Sequence, residues 1–197
     1  MSRRLEYLKR AQRSRCAFLL LRVSILAAIP IGLAFAQAPA FAQASKDAAK
    51  DAPATGPSSF SVKGDVSMPL TLKAEDLASM PREKVSVEEQ DGTKVEYEGV
   101  PLREVLKKAG ASLGNQLRGK TLASYVLAKA ADDYEVVFTL AEVDAAFANE
   151  QILVVDKRDG KPLFGYQGPF RLVCPNDKAG ARSVRMLETL EVVRLQK

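Results

Sequence analysis

The chain has 197 residues and contains no histidine or tryptophan, which excludes Ser-His-Asp catalysis and histidine-ligated zinc, copper or haem. Its length suits one domain with a substantial core. The net charge of +5 is no argument for nucleic acid, because residues 1–44 carry seven of the 29 Lys/Arg and one of the 24 acids; residues 45–197 then hold 22 bases against 23 acids.

Met1 to Arg15 is basic, and Val23 to Ala36 is an apolar run too short for a comfortable membrane span. Small-x-small sites follow at Ala40-Phe41-Ala42 and Ala42-Gln43-Ala44. This order predicts a secretory signal peptide over residues 1–44, a periplasmic or secreted product, and no stable membrane anchor after cleavage. Ser2-Arg3-Arg4-Leu5-Glu6-Tyr7-Leu8-Lys9 is similar to a twin-arginine export signal, although its aromatic-Leu-Lys segment falls a single residue late. Of the two cysteines, Cys16 falls in the leader, so Cys174 is left alone, with no internal disulfide and no CxxC site.

Residues 45–59 read as a flexible Ala/Pro/Ser linker, and residues 60–197 as the folded domain. Strands are expected at Phe60–Gly64 and Met68–Leu72, with a short helix at Ala74–Ser79 before Pro81. Glu83–Gln90 and Thr93–Tyr97 flank Asp91-Gly92, a hairpin signal because the tight turn requires positive φ. Pro101 and Gly110 bracket a helix, Leu102–Ala109, with Leu102, Val105 and Leu106 as its apolar stripe. Thr121–Ala130 and Tyr134–Phe138 form a second strand pair. Thr139 caps the next helix, and Glu142 completes a capping box. Ile152–Val155 is a strand, followed by a turn at Asp159-Gly160. Gly165–Val193 closes the chain as strand (Phe170–Cys174), basic loop and strand (Ser183–Val193). Many short strands with a few short helices define an α+β domain with a largely β core.

The basic loop carries the clearest chemistry. Lys178, Arg182 and Arg185, with Arg171 just before it, put forked cationic donors beside glycines, as a phosphate or other oxyanion site requires. The competing reading has Arg171 and Arg185 on neighbouring strands, paired with acids such as Glu188. Leu172-Val173-Cys174 alternation makes Cys174 a small buried hydrophobe. Glu88-Glu89 and Asp132-Asp133 read as turn residues, and no residue is assigned a catalytic role.

Six segments in chain order resemble one family. Tyr97-Glu98-Gly99-Val100-Pro101-Leu102 looks like the Gly-Val-x-Leu turn that opens a helix in the sulfite-oxidase family. Asp133-Tyr134 with its strand and Thr139-Leu140-Ala141-Glu142 resemble that family's next strand and helix. Ile152-Leu153, Asp159 to Leu163, Gly168 to Val173 with Pro175, and Gly180-Ala181-Arg182-Ser183-Val184-Arg185 follow in order. The chain is therefore similar to oxidoreductase molybdopterin-binding domains over about residues 60–195. The resemblance implies a sulfite-oxidase-type α+β fold and a molybdopterin cofactor. Gln167, Arg171 and Ser183-Val184-Arg185 would contact its pterin and phosphate, Lys178 and Arg182 would add charge, and Tyr166 would line the pocket. It also implies a metal-ligand cysteine between Val85 and Tyr97, where this sequence has none; thiolate softness suits such a metal and carboxylate does not. Two functions follow: an exported domain binding a molybdopterin-type or other anionic ligand, or a non-enzymatic periplasmic module that kept the fold without the metal and serves a redox or protein partner.

Overall fold

Alternating apolar residues build the strands of two five-stranded sheets, seen in a computed structural model that describes residues 53–89 and 91–195. The expected signal peptide lies outside the described residues. The first sheet runs β2 (Leu70–Leu72), β1 (Phe60–Gly64), β10 (Leu187–Arg194), β5 (Ser124–Ala130), β6 (Glu135–Thr139). In β5, Ser124, Val126, Ala128 and Ala130 turn inward while Tyr125, Leu127 and Lys129 are half-buried. The β1–β10 pairing is parallel, with Val62 opposite Leu190, so the two ends of the domain lie side by side.

The second sheet runs β3 (Glu83–Glu88), β4 (Lys94–Pro101), β7 (Leu153–Arg158), β8 (Lys161–Pro162), and β9 (Arg171–Val173) also pairs with β7. The β3–β4 turn falls at Asp91-Gly92 as expected, with Gly92 at φ +80°. The architecture is the α+β one that the sequence predicts. Three short helices, α1 (Ala74–Ala78), α2 (Leu102–Lys108) and α3 (Leu140–Val143), pack on the main core. The capping box at α3 forms: Glu142 N–H donates to Thr139 Oγ1 at 3.2 Å, and Thr139 N–H donates to Glu142 Oε2 at 3.1 Å.

The main core gathers side chains from both sheets, among them Val62, Val126 and Leu190 from the first and Val100, Val154 and Leu172 from the second. Phe60 meets Phe170 edge-on at 5.1 Å, a contact worth about 1 kcal/mol beyond the area it buries. The second sheet's other face carries a smaller cluster of Val85, Val95, Tyr97, Leu153, Val155, Leu163 and Val173. Successive strand residues face opposite sides, so Leu172 serves the main core while Val173 serves the smaller cluster.

A β-bulge decides what else reaches that smaller cluster. Glu98 pairs with Lys157 and Gly99 with Val155, leaving Asp156 as the extra residue of β7. Beyond it Arg158 stands opposite Tyr97. Strict alternation would have put Lys157 on the face of Leu153 and Val155; the bulge puts Arg158 there instead. Lys157 turns away to Glu98, 3.6 Å off.

Two expected strands start three or four residues late. β10 begins at Leu187 because Gly180–Arg182 forms a single 3₁₀ turn and Met186 sits at φ +45°, which interrupts an extended run. β5 begins at Ser124 because Gly119–Ala123 is also 3₁₀, with Thr121 Oγ1 accepting from Arg118 N–H at 2.8 Å. At the other end, Thr55 and Gly56 N–H donate to the Gly165 and Gly168 carbonyls at 3.0 and 3.1 Å. That segment holds the loop that carries Gln167.

Candidate anion-binding site

β9 delivers Arg171 to the smaller-cluster face. It pairs opposite Val155 on β7 and alternates with Val173. The residue is 9% exposed, and its guanidinium lies over the Tyr97 ring, 5.1 Å from the centroid. Nη1 donates to the Tyr97 hydroxyl at 2.7 Å and to Gln167 Oε1 at 2.6 Å. Nε is buried and has no hydrogen-bond partner. Buried polar atoms are nearly always satisfied, so an unmatched donor on a buried cation needs a reason.

Tyr97 passes the contact on. Its hydroxyl donates to Glu89 Oε1 at 2.9 Å, and Glu89 Oε2 accepts from Arg158 Nη2 at 3.3 Å. Arg158 also lies 3.7 Å from Asp159 and over the Phe164 ring. Arg185, exposed, stacks on the exposed Tyr166 ring at 4.9 Å. Burial pushes the Tyr97 hydroxyl up to about 12, with Arg171 opposing and Glu89 reinforcing, so it stays protonated and can donate. Burial lowers Arg171 below the usual guanidinium value; Tyr97 opposes this, and the nearby charges of Arg185 and Arg158 add to it, while Glu89 offsets them. Three guanidiniums thus share one neighbourhood, and Glu89 is the carboxylate that bridges into it.

The structure joins Gln167 to Arg171 and leaves Arg185 near enough for its charge to act on Arg171, and it gives the rest of the loop other contacts. Arg182 forks onto Asp177, with Nε–Oδ2 2.8 Å and Nη2–Oδ1 3.0 Å, and reaches Glu142 at 2.6 Å and the Phe138 ring at 5.2 Å. Asp177, then Glu142, hold it firmly protonated. Arg182 fastens the loop to α3 and β6. Ser183 Oγ accepts from Cys174 N–H at 3.4 Å, and the Val184 carbonyl accepts from Leu172 N–H at 2.8 Å, so both residues hold the loop against β9. Lys178 is exposed on the loop. Arg171 bonds Tyr97 and Gln167 rather than Glu188.

Tyr97, Glu89 and Arg158 were missed by sequence reasoning. Tyr97 carries a weak signal, since it alternates with Val95 on β4. Arg158 carries none, because only the bulge turns it to this face.

As to what the site could hold, the donors suit an oxyanion. A thiolate-held metal has no donor here. The β3–β4 segment has no cysteine. Cys174 leaves β9 toward the main core, opposite Arg171, and burial first, then Asp177, pushes its thiol up to about 12. Among the described residues no group of three or more His, Cys, Asp or Glu could hold a metal ion. Two clefts of about 270 and 670 Å³ flank α2, lined by residues such as Arg103, Asn149 and Gln151 in the first and Lys107, Gly114 and Asp144 in the second. Neither is lined by Arg171, Tyr97 or Gln167.

These features define an α+β domain built on two sheets, with an undercompensated arginine cluster where the second sheet's outer face meets the C-terminal loop. The chain belongs to the oxidoreductase molybdopterin binding domain family, whose model matches residues 51–197. Among solved structures it is similar to the sulfane dehydrogenase SoxCD of Paracoccus pantotrophus, at a TM-score of 0.53 and 22% identity, over 68% of this chain and 37% of that one. At that identity the likeness shows the fold, and this chain spans little more than a third of the other's length. No curated protein matches the chain.

Proposed function

We propose that this domain is exported and binds a phosphate-bearing ligand of the molybdopterin class at Arg171, Gln167 and Arg185. The carrying observation is Arg171 itself: a cation nine-tenths buried, with an unpartnered Nε, beside two further guanidiniums. Arg offers a fork that matches phosphate, and a donor left unmatched by the protein can be matched by an anion. Family membership supports a pterin as the body of that ligand. When bound, such a cofactor would supply the redox chemistry; the chain's own residues supply charge, a hydrogen-bonding tyrosine and an amide. The basic leader, apolar run and small-x-small sites support export to the periplasm or outside.

A second reading is favoured by the donor set. With no thiol on the Arg171 side among the described residues, the domain serves as a binding module for an anionic ligand or a periplasmic protein partner, without redox turnover. One preparation separates the two. The chain is purified from a host that makes molybdenum cofactor, denatured and oxidised, and assayed for pterin fluorescence. The first reading expects fluorescence from the wild type and little from Arg185→Ala. A wild type that releases no pterin overturns it and leaves the second.

A further inference from the structure

Resting on the reading of Arg171 and Arg185 as an anion site, we propose that Glu89 is its built-in competitor: the carboxylate holds Arg158 and the Tyr97 hydroxyl, and an oxyanion ligand enters by displacing it. The described form is then the self-occupied one, with Glu89 standing where the ligand's charge will go.

The contacts support an exchange rather than a fixed structural pair. Glu89 accepts from Tyr97 at 2.9 Å and from Arg158 at 3.3 Å, and Tyr97 in turn accepts from Arg171 at 2.7 Å. Its side chain is 28% exposed and lies past the end of β3 in the hairpin, where a change of rotamer disturbs no sheet pairing. Releasing it frees the donors of Arg158 and Tyr97, which the incoming oxyanion must take over in the same step. The charge count around it is lopsided. Arg171 and Arg158 meet through Tyr97 and Glu89, and the charge of Arg185 acts on Arg171, while the carboxylates seen in contact with Arg158 are Glu89 and, at 3.7 Å, Asp159. A single carboxylate supplies one negative charge and two oxygens. A diphosphate supplies more of both and satisfies more of the donors, including the unpartnered Nε of Arg171. The same carboxylate would discriminate against weak monoanions, which gain too little on replacing it.

Glu88 provides an internal control. It neighbours Glu89, is exposed, and projects from the opposite face of β3. Replacing either by glutamine removes one negative charge from the same hairpin, but only one replacement empties the cluster. The experiment titrates inorganic pyrophosphate calorimetrically into wild type, Glu89→Gln, Glu88→Gln and Arg185→Ala, at one ionic strength. The proposal expects Glu89→Gln to bind about tenfold more tightly than wild type, equivalent to about 1.4 kcal/mol. Glu88→Gln should stay within about twofold, the small long-range effect that screening leaves. Arg185, being exposed, can be removed without unfolding the domain, and its loss should weaken binding. Unchanged or weaker binding in Glu89→Gln overturns the proposal, and if Arg185→Ala still loses affinity the anion site itself stands. Equal tightening in both glutamine variants also overturns it, since net charge alone would then account for the gain. Pyrophosphate binding to none of the four proteins overturns the anion site and this proposal together.

Discussion

Replacing Arg171 by methionine separates a binding role from a structural one. Methionine keeps the unbranched shape and buries well on the small-cluster face. The substitution removes two charged-donor hydrogen bonds, to Tyr97 and Gln167, worth about 1.5–3 kcal/mol each. It also removes the stacking over Tyr97, about 2 kcal/mol in a desolvated setting. Against this, the guanidinium's desolvation, several kcal/mol, disappears. So does its unpartnered Nε, about 1–3 kcal/mol, and the methionine gains about 1.5–3 kcal/mol by burial. The two sides nearly cancel. What remains is Gln167, buried and now without its donor, so Arg171→Met should destabilise by only about 1–2 kcal/mol.

The assay is urea unfolding followed by tyrosine fluorescence or circular dichroism, the chain having no tryptophan. Arg171→Met/Gln167→Leu, which removes the orphaned amide, should recover about 1 kcal/mol of the loss. Pyrophosphate binding should vanish in both variants. A structural arginine behaves differently, because breaking a buried charged network costs about 3–5 kcal/mol. A loss above about 4 kcal/mol in the single variant, with no recovery in the double, would mark Arg171 as structural.

Alkaline pH tests the Tyr97 contact. Its folded value of about 12 lies above the ordinary 10, so the protonated form is favoured in the folded state. Stability is therefore full below pH 10 and is lost as pH rises toward 12, by up to about 2.7 kcal/mol. Tyr97→Phe should flatten that stretch of the curve in urea titrations at stepped pH; a wild-type curve level from pH 10 to 12 would contradict it. Gly99→Ala probes the bulge that aims Arg158. A Cβ there would lie 2.1 Å from the Val154 carbonyl, a backbone atom that cannot swing away, so the loss should exceed about 3 kcal/mol. A midpoint shift equivalent to less than about 1 kcal/mol would show that the bulge relaxes freely.

Elements set by local chemistry were legible in the sequence. Asp91-Gly92 marks a turn because of φ, Pro101 and Gly110 bracket α2, and Thr139 with Glu142 writes its own capping box. The family's motif order points to Arg171, Gln167 and Arg185; the first two hydrogen-bond each other, and the charge of Arg185 acts on Arg171. Their partners were not legible. Tyr97 lies 74 residues from Arg171, and only the order β4–β7–β9 joins them. Arg158 is hidden further, because alternation along β7 points to Lys157 until the extra residue Asp156 reverses it. Arg182 misleads in the other direction: it sits in the motif, but Asp177 and Glu142 take its donors.

That contrast is the strongest physical support for the proposed ligand site. Three other arginines of this fold are matched by acids. Arg82 has Asp156 at 2.5 Å and Glu98 at 2.7 Å, Arg182 has Asp177 and Glu142, and Arg194 has Asp65 at 2.5 Å. Arg171 is the most deeply buried of these arginines and pairs directly with no carboxylate; its partners are a phenol and an amide. Burying a cation without a direct counter-charge is costly. Folds depart from internal consistency in this way at functional sites. Glu89 softens the departure through Tyr97 without cancelling it, and an incoming oxyanion would complete what the chain leaves short.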